Sequence, residues 1–342
     1  MDRHYLVTGG AGFIGSNYVH RLVQRGEKVT IYDNLSRAGA PRNIAWLEET
    51  FGKEAFRLVV GDLRNADLLT ETAKDADVIV HLGGQVAVTT SVTKPRDDFE
   101  ANALGTFNAL EAARLSGRDP IFIYSSTNKV YGGMDDVEIV EEATRWRYKD
   151  LLEGAAETQP LDFHSPYGCS KGTGDQYVRD YARIYGLRSV VFRQSCIYGP
   201  RQFGVEDQGW LAWMVIAAVT GRQITIYGDG KQVRDVLHVN DLLDAYDAAV
   251  ERIARAKGQV YNMGGGPRNV LAIWAEFGPI LERLLGRKIE VARADWRPGD
   301  QRVFYADFRK AKHDLDWEPK IDLEEGIEML FEWIQANRDL FE

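Results

Sequence analysis

The stretch "YLVTGGAGFIG", Tyr5 to Gly15, decides the fold. A short apolar run opens it and closes on Thr8, Gly9 and Gly10, and a segment with helical periodicity runs on from Phe13 to Arg25. Gly9, Gly12 and Gly15 recur at three-residue intervals across the join. Between a strand and a helix, glycines so spaced permit a tight turn, close approach of backbone to a pyrophosphate, and tight packing of helix on sheet. The amide groups that open the helix favour the phosphate charge. A glycine pattern alone is weak; the strand before it and the helix after it give it weight.

Working outward, apolar runs at "KVTIYD" (28–33), "FRLVVGD" (56–62), "DVIVHLGG" (77–84), "IFIYSST" (121–127) and "SVVFR" (189–193) alternate with helical segments such as Phe99 to Ser116. Strands alternating with helices imply an α/β fold: a Rossmann-type, doubly wound parallel sheet covered on both faces. From about Gln194 the pattern changes to glycine- and tryptophan-rich segments, an apolar helix near Trp210 to Thr220, and "ITIYGDGKQVRDVLHVNDL". This reads as a second, smaller mixed α/β domain for substrate. The boundaries expected are 1–193 plus about 234–257 for the dinucleotide domain, and about 194–233 plus 258–342 for the substrate domain. "TRWRYKDLLEG", Thr144 to Gly154, reads as a short surface helix over the mouth of the site.

In such sheets ligands bind beyond the carboxyl ends of the strands, where this chain carries GG, D, GD, GGQ, SST and RQSC. Asp33 ends the second run, where a carboxylate accepts both ribose hydroxyls and repels a 2′-phosphate, so NAD is expected over NADP. Asp62, ending the third run, stands by the adenine position or holds a turn. Arg37 reads as a solvated or adenine-stacking cation.

"SPYGCSK" places Tyr167 and Lys171 four residues apart, one helical turn on one face. The lysine charge is expected to lower the phenol's pKa and permit proton transfer near neutral pH. Thr127, at the end of "IFIYSST", offers a third hydroxyl to orient a substrate's own.

The 342 residues carry a net charge of −9, without the basic footprint that nucleic acid requires. Hydrophobic residues at 44% and charged residues at 27% describe a globular chain with a packed core. Cys169 and Cys196 make no disulfide framework and lie in no metal-ligand spacing. The N-terminus reads as a strand rather than a signal peptide, and "WLAWMVIAAV" is about half the length of a membrane span. Neither a nucleic-acid nor a membrane partner is expected, and the cytoplasm is the expected compartment.

With the glycine turn, "SST" and "YGCSK" in this order and spacing, the chain resembles the extended short-chain dehydrogenase/reductase superfamily of nucleotide-sugar epimerases and dehydratases, over essentially its whole length. The resemblance implies a catalytic triad of Thr127, Tyr167 and Lys171. It implies NAD, tightly bound and not consumed, held by Gly9, Gly12, Phe13, Ile14, Gly15, Asp33, Asn34, Ser36, Arg37, Asp62, Leu63, Leu82 and Asn102, with Tyr167 and Lys171. "GDGKQVRD" and "RPGD" match segments that bind a sugar nucleotide's diphosphate, which implies Arg234 and Arg297 as ligands and Asp300 at the nucleotide ribose. Gln85, Thr127, Asn128, His164 and Gln194 are expected on the sugar side. Trp210 is expected in the core rather than stacked on the base. A homodimer through the helices near Phe99 to Ser116 and Tyr167 to Tyr185 is expected by the same likeness.

Three departures narrow the chemistry. Dehydratases of this family follow the triad threonine with an aspartate and a glutamate that remove water; here Asn128 and Lys129 stand there and cannot form that pair. An aromatic residue and an asparagine common in 4-epimerases are replaced by Ser195 and Cys196. Gly83 stands where the nearest branch usually has alanine. Segments including "GGQVAVTTS", "SSTNKVYG" and "RQFGVEDQGW" resemble the branch that inverts carbon 2 of CDP-linked deoxysugars. Alternatives are inversion at carbon 2 of CDP-glucose or GDP-mannose, or at carbon 4 of a UDP sugar. A non-catalytic NAD-binding sensor would be expected to have lost the tyrosine or lysine, and both are present.

Overall fold

A computed structural model describes residues 3–297 and 301–342. Seven parallel strands form the large sheet: β1 (His4–Thr8), β2 (Lys28–Asp33), β3 (Arg57–Val60), β4 (Val78–His81), β5 (Ile121–Thr127), β8 (Arg188–Gln194) and β12 (Val260–Met263). Their spatial order is β12-β8-β5-β4-β1-β2-β3, so the winding reverses between β1 and β4. A topological switch point there opens a crevice beyond the strand ends. The inner strands are buried on both sides, while β3 at the edge is partly exposed. One face packs against the helices Phe13–Gln24, Ala40–Phe51 and Val239–Glu251. The other packs against Ala66–Ala73, Gly105–Leu115 and Ser165–Ile184.

Two short strands, β6 (Ile139–Glu141) and β7 (Trp146–Tyr148), pair antiparallel. They correct the expected surface helix at Thr144 to Gly154: Trp146 and Tyr148 are strand formers, and Tyr148 is buried in an apolar cluster with Val303, Phe304 and Tyr305.

The smaller lobe holds β9 (Cys196–Tyr198), β11 (Val233–His238), β13 (Val270–Ala272) and β15 (Val303–Phe304) in one mixed sheet. β10 (Ile224–Tyr227) and β14 (Val291–Ala294) form another. Its core gathers the apolar helix Trp210–Thr220 with Phe277–Leu285 and Leu323–Ala336. Sheet membership places the domain crossings differently from the sequence reading. β12 pairs with β8, because Val260 and Tyr261 fill the large sheet's core, so the return to the first lobe runs through Met263 rather than stopping near 257. Residues 234–238 instead belong to β11 of the smaller lobe, and Ala311, Leu315 and Trp317 pack into the first lobe's core. Among the described residues no helix is long and apolar enough to cross a membrane.

Within the expected helix of Phe99 to Ser116 the chain is helical from Pro95, but Glu100–Leu104 widens into a π turn. Such bulges re-aim side chains at functional sites. Here the bulge carries Asn102.

Candidate active site

The crevice is lined first by bare backbone. Gly9 has φ +69°, and a Cβ there would lie 2.7 Å from the Gly83 nitrogen across the switch point. A Cβ on Gly15 would lie 2.2 Å from the Gly9 carbonyl oxygen, and one on Gly12 would lie 3.1 Å from it. The Phe13–Gln24 helix starts at Gly12 with no side-chain cap and no acidic residue in its first turn, leaving amide groups suited to an anion. Phe13 and Ile14 pack half-buried on the core beneath, as does Leu82 beyond β4. A bare loop, an uncapped helix start and a carboxylate at the end of β2 fit a dinucleotide.

That carboxylate, Asp33, accepts the N–H of Ala11 at 3.1 Å and of Leu35 at 2.8 Å. Burial pushes its pKa up and these two bonds pull it back. Asn34 donates to Asp62 at 3.1 Å and accepts the Ser36 N–H at 3.1 Å. Asp62 is gripped twice by Arg64, at 2.8 Å each, which holds its pKa well below the usual carboxylate range. Arg37 is exposed and reaches the Gln208 side chain in the smaller lobe. Leu63 is buried against Gly83 and Gly105.

Thr127 closes β5, and the Ser165–Ile184 helix presents Tyr167 and Lys171 one turn apart. The Thr127 hydroxyl accepts the Lys129 N–H at 3.2 Å and donates to Asn128 at 3.4 Å. Burial pushes the Tyr167 phenol up to about 12; Thr127 pulls it down and Asp98 pushes it further up. Burial pushes Lys171 down to about 8, against the pull of Asp98 and Asp175. The expected lowering of the phenol by Lys171 is not seen in this arrangement. The ammonium group lies instead over the Tyr124 ring, 4.5 Å from its centroid.

Behind the triad runs a sealed polar chain that the sequence did not disclose. Asp175, one turn beyond Lys171, accepts Ser126 at 2.8 Å and grips Arg193 through both oxygens. Arg193 donates to the Tyr131 hydroxyl at 3.0 Å, and Tyr131 donates to Asn262 at 2.7 Å. The ends of β5, β8 and β12 are thereby tied to the helix that carries Tyr167 and Lys171. Asp175 lies four residues past Lys171, so helical spacing was the available signal.

On the sugar side the expected residues divide. Asn128 lies against Thr127, as noted. Gln85 uses its side chain on its own loop, donating to the Ala87 carbonyl at 2.7 Å and accepting the Ala87 N–H at 2.8 Å. Asn102 clasps the Gln85 backbone, accepting its N–H and donating to its carbonyl, both at 3.0 Å. Gln194 donates to the buried Tyr246 hydroxyl, and His164 is exposed and paired with Asp162 at 2.8 Å. In this arrangement Gln85, Gln194 and His164 serve the protein's own loops and core.

Arg234 lies buried on β11 and acts electrostatically on Cys196. Arg297 pairs with Asp207 at 3.2 Å and stacks 3.9 Å over the Tyr227 ring. Asp300 lies outside the described residues. Ser195 hydrogen-bonds the fully buried Asp235, which also accepts the Ala306 N–H at 2.9 Å. Burial pushes Asp235 up to about 6. Trp210 donates to the Cys196 sulfur at 3.3 Å and packs edge-on against Phe277.

A profile of the GDP-mannose 4,6 dehydratase family matches residues 6–330. The chain belongs to this family of extended short-chain dehydrogenases/reductases. It is 43% identical to CDP-paratose 2-epimerase of Salmonella typhi over 97% of this chain and 99% of that one. Among solved structures, dTDP-glucose 4,6-dehydratase of Streptomyces venezuelae, with NAD and TYD bound, aligns at TM-score 0.85 and 28% identity, covering 99% of each chain. UDP-glucose 4-epimerase of Thermotoga maritima, with UDP-glucose, aligns at TM-score 0.83 and 30% identity over 98% of this chain and 99% of that one. The crevice and triad thus sit in a fold shared by epimerases and dehydratases.

Proposed function

We propose that this enzyme is an NAD-dependent nucleotide-sugar epimerase that inverts carbon 2 of a CDP-linked deoxysugar, interconverting CDP-paratose and CDP-tyvelose. One observation carries the choice of epimerase over dehydratase. The two residues after Thr127 are Asn128 and Lys129, and the Asn128 amide oxygen accepts from the Thr127 hydroxyl. An amide and an ammonium supply no carboxylate base to drive loss of water. The 43% identity to CDP-paratose 2-epimerase over nearly the whole chain supports the position and the base.

NAD is the cofactor; when bound it accepts a hydride and gives it back. The glycine turn, the uncapped helix start and Asp33 hold it. Tyr167, ionised, takes the proton of the sugar's 2-hydroxyl as the hydride leaves carbon 2, giving a 2-keto sugar. Thr127, which already draws the phenol's pKa down, orients that hydroxyl, and Lys171 is the buried cation one helical turn along. Rotation of the keto sugar presents its other face; Tyr167 returns the proton to the oxygen as the hydride returns to carbon 2. Protons and electrons balance with no net oxidation. Arg234 and Arg297 hold the diphosphate.

We further propose a homodimer. Phe99, Phe107, Leu115, Tyr177 and Ile184 are exposed on the Pro95–Leu115 run and the Ser165–Ile184 helix, as is Tyr185 at that helix's C-cap, and Phe107 and Tyr177 already touch edge-on. Such a patch favours burial against a second copy. A monomer mass by light scattering would remove the dimer.

The test of the activity is incubation with CDP-paratose in heavy water, followed by NMR. The arabino-configured product should appear with its carbon 2 proton retained, the mark of internal hydride return. Solvent deuterium at carbon 2 would refute the mechanism. No conversion by protein carrying its NAD would refute the substrate.

A further inference from the structure

Asp98 is fully buried at the end of the Pro95–Phe99 helix. One carboxylate oxygen accepts the Asn102 amide at 3.0 Å; the other has no hydrogen bond of good geometry. A buried carboxylate with an oxygen unpaired is costly unless a positive charge offsets it. The Ser165–Ile184 helix packs against this one, and from it Ser170 and the charge of Lys171 both favour the ionised carboxylate. Lys171 is itself buried, and Asp98 is the foremost of the charges that favour its ammonium form.

We propose that Asp98 is a positioning residue for the reaction: a sealed counter-charge that keeps the Lys171 side chain an ammonium ion, one helical turn from Tyr167. The other groups around Lys171 do not replace it. Asp175, on the same helix, shares its charge with Arg193. His81, on β4, is sealed, bonded to Thr8 and Thr106, and kept neutral by burial. Tyr124 on β5 offers its ring face, and its hydroxyl is kept protonated by burial. The geometry adds a second role: Asn102, which donates to Asp98, is the side chain that clasps the Gln85 backbone at the end of β4. The same carboxylate therefore anchors the rim loop and the charge of the triad lysine.

This rests on reading Tyr167 and Lys171 as the acid–base pair, not on any particular sugar. The test follows the Lys171 side-chain signal by NMR in NAD-bound protein labelled with 13C-lysine, assigned by its loss in Lys171→Met. In Asp98→Asn its titration midpoint should fall by about one pH unit or more, and Asp98→Glu should restore most of the difference. If Asp98→Asn does not fold, Asp98→Ser carries the same expectation. A midpoint unmoved in a folded neutral variant, or moved as far by Asp98→Glu as by Asp98→Asn, overturns the proposal. Failure of the epimerase reading would show instead as wild-type protein that turns over no nucleotide sugar, with the lysine titration unaffected.

Discussion

Asp175 grips Arg193 through both carboxylate oxygens, at 2.8 and 2.9 Å, with the two side chains 0% and 2% exposed. Removing one member leaves the other charge buried and unpaired, which costs about 3–5 kcal/mol. Arg193→Met should lose stability on that scale by urea denaturation. The double variant Asp175→Leu with Arg193→Met should recover a large part, because no lone charge remains. Equal losses in the single and double variants would mean that packing, not charge, is at stake.

Tyr167→Phe removes the only atom that carries the proton while leaving the ring in place. Turnover should fall by at least about 10²–10⁴-fold, the range of general acid–base catalysis, and the bound NAD should remain at the wild-type ratio. Retained turnover would sink the role of Tyr167.

Gly15→Ala and Gly12→Ala should separate by severity. The added methyl at Gly15 would meet the Gly9 carbonyl at 2.2 Å, backbone against backbone, whereas at Gly12 the same oxygen stands at 3.1 Å. Gly15→Ala is expected to lose bound NAD and about 1–3 kcal/mol of stability, and Gly12→Ala to lose less of both. Absorbance of released cofactor and thermal melting read the two effects.

Asp235 sets a pH dependence in the smaller lobe. Burial raises its pKa to about 6 in the folded protein, above the ordinary value of 3.8. The folded state therefore binds more protons between these values, and the stability that protonation contributes is lost as pH rises from about 4 through 6. Wild type should lose stability over that interval relative to Asp235→Asn, by about 1.4 kcal/mol for every pH unit crossed. Parallel denaturation curves at pH 4, 5 and 6 would refute this.

The glycine turn, the strand ends and the Tyr167–Lys171 spacing were legible because each is a local pattern with one mechanical reading. Thr127 was legible because it ends an apolar run. The hairpin at Ile139–Tyr148 was not, since charged residues at Arg145, Arg147 and Lys149 hid the two inward aromatic residues, Trp146 and Tyr148. Gln194 ends β8 and Gln85 lies in the loop after β4, but whether an amide turns to a ligand or to its own loop depends on Ala87 and Tyr246, and sequence position does not fix that choice. Asp98 lies four residues before Asn102, a helical spacing open to inspection. Its importance comes from a second helix some seventy positions away, which no local pattern contains.

β8 ends at Gln194 and β9 begins at Cys196, so Ser195 alone joins the large sheet to the smaller one. The chain then returns to the first lobe between β11 and the Val239–Glu251 helix, leaves it after β12, and packs on it once more at the Arg309–Leu315 helix. For protein engineering this means that the lobes are not exchangeable cassettes. A chimera meant to borrow a relative's sugar preference has to be cut at every crossing, and a cut at Ser195 alone would separate β12 from β8, its parallel neighbour in the large sheet.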